Sequence, residues 1–132
     1  MSRYTMIGGG LAALLFLFCS ASVLQADDPT GTWKWDYKNT EGKQVQITLK
    51  LKLEADNTLT GTLRSPVYEE PIKDGVYRDG DISFQVVNEY SDHKIVQTYD
   101  GKHQGDTIKG TIKLDFGTNA RTYPWNAKRE QP

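Results

Sequence analysis

Cysteine is almost missing from this chain: there is one, Cys19, and it falls within the first 26 residues. No disulfide can therefore staple the remainder, which has to hold itself by its core and by pairing its strand edges. Histidine is scarce too, with His93 and His103 far apart in the sequence. Both read as solvated loop residues at opposite ends of the fold rather than as metal ligands. There is no Gly-x-Ser-x-Gly. Nucleophilic catalysis thus has no visible carrier. Glu69-Glu70, in a Pro-flanked stretch, reads as solvent-facing charge, and Gly8-Gly9-Gly10 lies too early to be a phosphate loop. Charge of one sign is also missing: 16 basic against 17 acidic residues give a net charge of −1. Such a balance supplies no electrostatic reason to bind nucleic acid or anionic lipid.

Long apolar runs are limited to one. It extends from Met6 to Phe18 after a single positive charge, Arg3, and leads through small residues to Ala26. This is the pattern of a secretory signal peptide over residues 1–26, cleaved after Ala26, and it falls well short of the roughly 20 apolar residues a spanning helix needs. Acylation at Cys19 is the alternative. There the residue before it, Phe18, stands where lipid processing takes Gly, Ala or Ser. The expectation is export to the periplasm or the medium, with no stable membrane insertion of the mature chain and a single domain over residues 27–132.

In that domain the signal is period two. Trp33, Trp35 and Tyr37 fall on one face of an extended strand, with Thr32, Lys34, Asp36 and Lys38 on the other. Val45, Ile47, Leu49, Leu51 and Leu53 then alternate with polar residues, an arrangement that a helix would scatter. Leu59 and Leu63 flank Gly61, and Gly75 marks a bend or bulge in the strand around Ile72 to Tyr77. Asp79-Gly80 signals a hairpin. Ile82, Phe84 and Val86 follow, then Ile95, Gln97 and Tyr99, then Ile108, Gly110, Ile112, Leu114 and Phe116. The last strand carries Arg121, Tyr123, Trp125, Ala127 and Arg129 on one face, with Pro124 hinting at a bulge or a weakly paired stretch.

Eight strands on short connections exclude a parallel sheet, which needs long crossovers. The reading is an all-β, eight-stranded antiparallel up-and-down barrel, lipocalin-like in form, which removes both sheet edges. A sandwich is the alternative. Tight turns at 55–57, 79–80 and 104–105 gather at one end, predicting a closed end. Longer connections at 39–42, 64–71, 89–93 and 116–119 gather at the other, predicting a mouth, with Arg64 to Pro71 the longest. Residues 57–64 and 106–113 match in type position by position; duplication is one explanation, and the one we prefer is a shared solution, a turn and then alternation with Gly where the strand curves tightly.

Gly31-Thr32-Trp33 opening the first strand, with a basic residue closing the last, resembles the signature of the calycins: lipocalins, avidins and fatty-acid-binding proteins. The resemblance implies that Trp33 plugs the closed end and that Arg129 packs across it, with Lys128 and Arg121 as alternatives. The chain departs from lipocalins in having no disulfide pair and no Thr-Asp-x-x-Tyr motif, and from avidins in having no set of biotin-contacting residues. As a whole it is similar to small exported bacterial barrels ending in a Trp-x-Ala-Lys-Arg-like motif, here Trp125-Asn126-Ala127-Lys128-Arg129.

A barrel of this size is filled by its own side chains or holds one small ligand. Toward the mouth the inward positions turn from apolar to polar-aromatic, which makes Tyr37, Tyr68, Tyr90, Gln97, Tyr99, Arg121 and Tyr123 the candidate ligand-binding residues. The expected function is a non-catalytic binding protein without cofactor or metal, taking a small hydrophobic or amphipathic ligand and no nucleic acid. The alternative is a filled barrel acting as a protein-interaction or envelope-structural module.

Overall fold

A computed structural model describes residues 28–131. The expected leader and Cys19 lie outside the described residues, as does the Tyr90 side chain. The strands are β1 (Gly31–Lys38), β2 (Gln44–Leu53), β3 (Thr58–Arg64), β4 (Glu69–Pro71), β5 (Lys73–Arg78), β6 (Asp81–Tyr90), β7 (His93–Gln104), β8 (Thr107–Asp115) and β9 (Ala120–Arg129). Every pairing is antiparallel, and β3 pairs with both β4 and β5, which are two pieces of one wall strand. Neighbour pairs run from β1 to β9, and β1 pairs back onto β9, so the sheet closes as an eight-stranded antiparallel barrel.

Alternation builds the interior as predicted. Ile47, Leu49 and Leu51 of β2 are buried, as are Leu59 and Leu63 of β3 and Ile82, Phe84 and Val86 of β6. Their polar neighbours in sequence face water, since successive side chains point to opposite faces. Removing these side chains from water at about 25 cal/mol per Å² of apolar area is the main force closing the sheet.

The two matching segments share one physical cause. A Cβ on Gly61 would sit 1.9 Å from the Lys50 carbonyl oxygen, and a Cβ on Gly110 would sit 1.9 Å from that of Asp100. At both places the neighbouring strand passes too close for any side chain. Gly75 likewise marks irregularity: between Lys73 and Val76 the register slips by one residue against β6, a bulge.

Several expectations change. The 64–71 connection is not a long loop, because Glu69–Pro71 turns back to pair with Thr62–Arg64. What remains is Ser65 to Tyr68, tied by Ser65 Oγ accepting from the N–H groups of Val67 and Tyr68, both at 3.2 Å. The 89–93 turn shrinks to Ser91-Asp92, whose φ values of 48° and 65° are the left-handed pair a tight hairpin turn requires. The mouth therefore carries no long loop.

Pro124 makes no bulge, since β8 and β9 stay in register from Thr107↔Lys128 to Asp115↔Ala120. Its missing N–H lies on the other edge. β1 and β9 pair only through Trp33↔Arg129 and Lys34↔Lys128, with Glu130 N–H donating to Thr32 O below them. By that parity, the backbone N–H at Lys128, at Asn126 and at position 124 would face β1, and Pro124 has none to offer. The upper half of the β1–β9 seam is left unpaired.

Candidate functional site

At the closed end Trp33 is fully buried and its indole Nε1–H donates to Pro29 O at 2.9 Å. The Arg129 guanidinium stacks over the ring with Cζ 4.5 Å from its centroid. Its Nη1 donates to Thr30 O at 2.6 Å, and its Nη2 to Asp28 O at 3.0 Å and Gly105 O at 3.2 Å. Nε donates to Asp106 Oδ1 at 2.9 Å. Arg129, and neither Lys128 nor the exposed Arg121, is the residue that crosses the tryptophan. It ties the lead-in to β1, the β7–β8 turn and the last strand to one side chain.

His103 corrects its expected place. It is 6% exposed, lies edge-on to Trp33 with ring centroids 5.6 Å apart, and belongs to β7 rather than to a loop. Nε2 lies 2.9 Å from Gly105 O and so carries the proton; Nδ1 then accepts from Tyr77 Oη at 3.1 Å. Arg129 Nη2 is 3.4 Å from the same Nε2, but with hydrogens on both atoms that approach is not a hydrogen bond. His93, at the mouth end of β7, is exposed.

Midway along the bore the rings close it. Phe84 stacks on Tyr99 with centroids 4.6 Å apart and planes 13° apart. Trp125 stands edge-to-face against Tyr99 at 5.2 Å, Trp35 at 5.6 Å and Phe84 at 5.8 Å. The buried Trp125 Nε1–H has no hydrogen-bond partner among the described residues.

Above this floor lies a polar chain. Tyr99 Oη donates to Gln97 Oε1 at 2.6 Å; Gln97 Nε2 donates to Asn88 Oδ1 at 2.6 Å and to Tyr68 Oη at 3.0 Å. Tyr99 and Gln97 are 3% and 7% exposed, while Tyr68 and Asn88 are half-buried. Burial pushes the Tyr99 hydroxyl far above the ordinary phenol value and raises that of Tyr68. Both stay neutral, proton-bearing groups at physiological pH.

Of the seven residues proposed for the mouth, the structure thus joins Tyr68, Gln97 and Tyr99 directly. Tyr37 (48% exposed) and Tyr123 (41%) share the inward faces of their strands but stand at the rim with Arg121. Ile112 and Leu114, paired with Tyr123 and Arg121, are half-buried. Asn88 was missed, although two-residue spacing from Ile82, Phe84 and Val86 puts it on the inward face. Two concavities lie elsewhere, one on the outer wall at Thr48, Lys50, Thr62, Arg64 and Glu69, the other at the closed end at Tyr77, Asp79, Gly80 and His103.

These features define a class: a small closed antiparallel β-barrel with an Arg-capped tryptophan plug at one end and a phenol–amide chain under an open rim at the other. Comparison of the chain with protein-family models, with curated proteins and with solved structures gives no match.

Proposed function

We propose that this is an exported, non-catalytic, calycin-like binding barrel that takes a small apolar or amphipathic ligand in its mouth. The observation that carries this reading is the change in burial along the bore. Inward-facing Tyr37, Ile112, Leu114 and Tyr123 stay partly open to solvent directly above a floor whose rings are buried. Partly exposed apolar and phenolic side chains converging on a few polar groups are what a small-molecule site consists of. Because the rings fill the bore below, the site is a shallow cup and suits a short apolar body. Work in the periplasm or outside the cell is part of this proposal and rests on the expected leader over residues 1–26.

A second reading, the filled barrel as an interaction module, is favoured by that same ring block and by the concavities lying outside the bore. Native mass spectrometry of the protein purified from its own exporting cells separates the two. Extra mass in the native spectrum that disappears on denaturation, together with weaker binding in Arg121→Ala or Tyr123→Ala at unchanged stability, supports the cup. A bare native mass and unchanged binding in both variants overturn it.

A further inference from the structure

The hydrogen bonds above the ring floor all run in one sense. Tyr99 sits deepest, and its hydroxyl hydrogen is placed to reach Gln97 Oε1. Were the Gln97 amide reversed, its Nε2 would donate to Tyr99 Oη and the phenol hydrogen would be stranded at a 3% exposed position. An unmade bond by a buried donor is costly, so the phenol fixes the orientation of the amide. Gln97 must then present its two N–H groups toward the mouth, where they occupy Asn88 Oδ1 and one lone pair of Tyr68 Oη.

Each of these two oxygens takes one hydrogen in this way, while the hydrogens of their own residues are left over. Among the described residues Asn88 keeps both N–H bonds of Nδ2, and Tyr68 keeps its own O–H, since its oxygen is the acceptor from Gln97. Ser65 is the hydroxyl neighbour of Tyr68. If the Tyr68 O–H turns to Ser65, the two hydrogens on Asn88 Nδ2 still remain. Arg121 at the rim can only donate as well.

We infer that the mouth selects a head group that only accepts hydrogen bonds, a sulfonate, carboxylate or phosphate ester on a short apolar body, and that buried Tyr99 sets this preference without touching the ligand. The inference rests on the cup being a ligand site. Tyr99 is a positioning residue in it: removing its hydroxyl frees the Gln97 amide to turn over, and Asn88 and Tyr68 can then present acceptors.

The test measures binding of three probes of equal chain length, decanesulfonate, decanol and decylammonium, by tryptophan fluorescence or calorimetry at neutral pH. The wild-type protein is expected to favour the sulfonate over the ammonium by about tenfold or more, as charge-assisted bonds to several donors allow. In Tyr99→Phe, which keeps the ring stacked on Phe84, that ratio is expected to fall about fivefold. Arg121 is present in both proteins, so a change in the ratio is not an effect of its charge. Binding of all three probes with a ratio unchanged by the substitution overturns the inference and leaves the cup standing. Failure of decanol and both charged probes to bind overturns the cup and the inference together.

Should Tyr99→Phe not fold, proton NMR of the wild type decides. Cross-peaks from the Gln97 side-chain amide protons to the Tyr68 ring support the proposed direction, and cross-peaks to the Tyr99 ring in their place overturn it.

Discussion

The guanidinium of Arg129 lies 4.5 Å above the ring of Trp33, and each of these residues also bonds to the short segment that precedes β1. The two positions face each other across the only stretch where β1 and β9 pair. Barrel closure and plug formation are therefore one event: losing the plug releases the lead-in and the seam together.

Replacing Arg129 with Met should cost about 2 to 3 kcal/mol, because three backbone carbonyls lose a charged donor. Its ion pair with Asp106 adds little, since the Asp106 side chain is 64% exposed. Arg129→Lys should be nearly as harmful, as a single ammonium cannot reproduce a planar fork that bonds in several directions and covers a ring. Urea denaturation of the three proteins checks this. A lysine variant as stable as the wild type would mean that charge alone matters at this position.

The indole nitrogens of two fully buried tryptophans differ in a way that a matched pair of substitutions can read. Trp33 Nε1–H donates to Pro29 O, whereas Trp125 Nε1–H finds no partner among the described residues. Trp33→Phe and Trp125→Phe each open a cavity of similar chemistry. The Trp33 change alone strands a carbonyl, so it should be the more destabilising by about 1 kcal/mol. Equal losses in a denaturant titration would show that the Trp33 hydrogen bond contributes nothing net.

Gly61→Ala and Gly110→Ala should each destabilise by about 2 kcal/mol or more, because the new methyl collides with backbone that cannot turn aside. Gly42→Ala is the control. There a Cβ meets nothing within 4 Å and only a φ of +80° opposes it, which should cost about 1 kcal/mol or less. Thermal melts of the three variants test the distinction, and an innocuous Gly110→Ala would contradict the close strand approach.

Pro124→Thr returns an N–H to the open edge of β9 without touching the ladder to β8, whose bonds run through the alternate residues. Stability should change little. Pairing between molecules should increase, because a proline at an edge blocks strand addition. Sedimentation at rising concentration measures this, and a variant that associates no more than the wild type would show that the edge is guarded by something else.

How much of this was legible depended on whether a residue's fate was decided by its own strand. Val45 to Leu53 and Ile82 to Val86 alternate strictly, so faces and barrel could be read from them. Gln97 could be placed inward for the same reason, by parity with Tyr99. His103 shares that parity, but beside the 104–105 turn it reads as a loop residue; in the fold β7 runs on to Gln104 and the ring packs against Trp33 of β1 and Tyr77 of β5. β4 was hidden because Pro66 precedes it and Pro71 is its last residue, and the turn that permits it depends on one serine oxygen. Ser91-Asp92 carries none of the glycine that usually announces a left-handed turn. The direction of the chain from Tyr99 to Tyr68 needs two strands and a loop brought together, and no local pattern encodes that.

The raised phenols make stability depend on alkaline pH, with a definite sign. Burial is the main cause at Tyr99 and at Tyr68, with the neighbouring phenol Tyr37 adding to the shift at both. A phenol whose folded value lies above its unfolded value near 10 binds its proton more tightly in the folded protein. Its contribution is fully present below about pH 10 and is lost as pH rises from there toward the folded value, at up to about 1.4 kcal/mol per pH unit for each group. Urea denaturation between pH 8 and pH 11.5 should therefore show a plateau and then a steep fall, and in Tyr99→Phe the fall should be shallower. Tyrosinate absorbance should show two of the phenols ionising late, one of them only as the protein unfolds. A wild type whose stability stays flat through pH 11 would mean that Tyr99 is not sealed beneath Gln97, and the one-way chain above it would lose its fixed end.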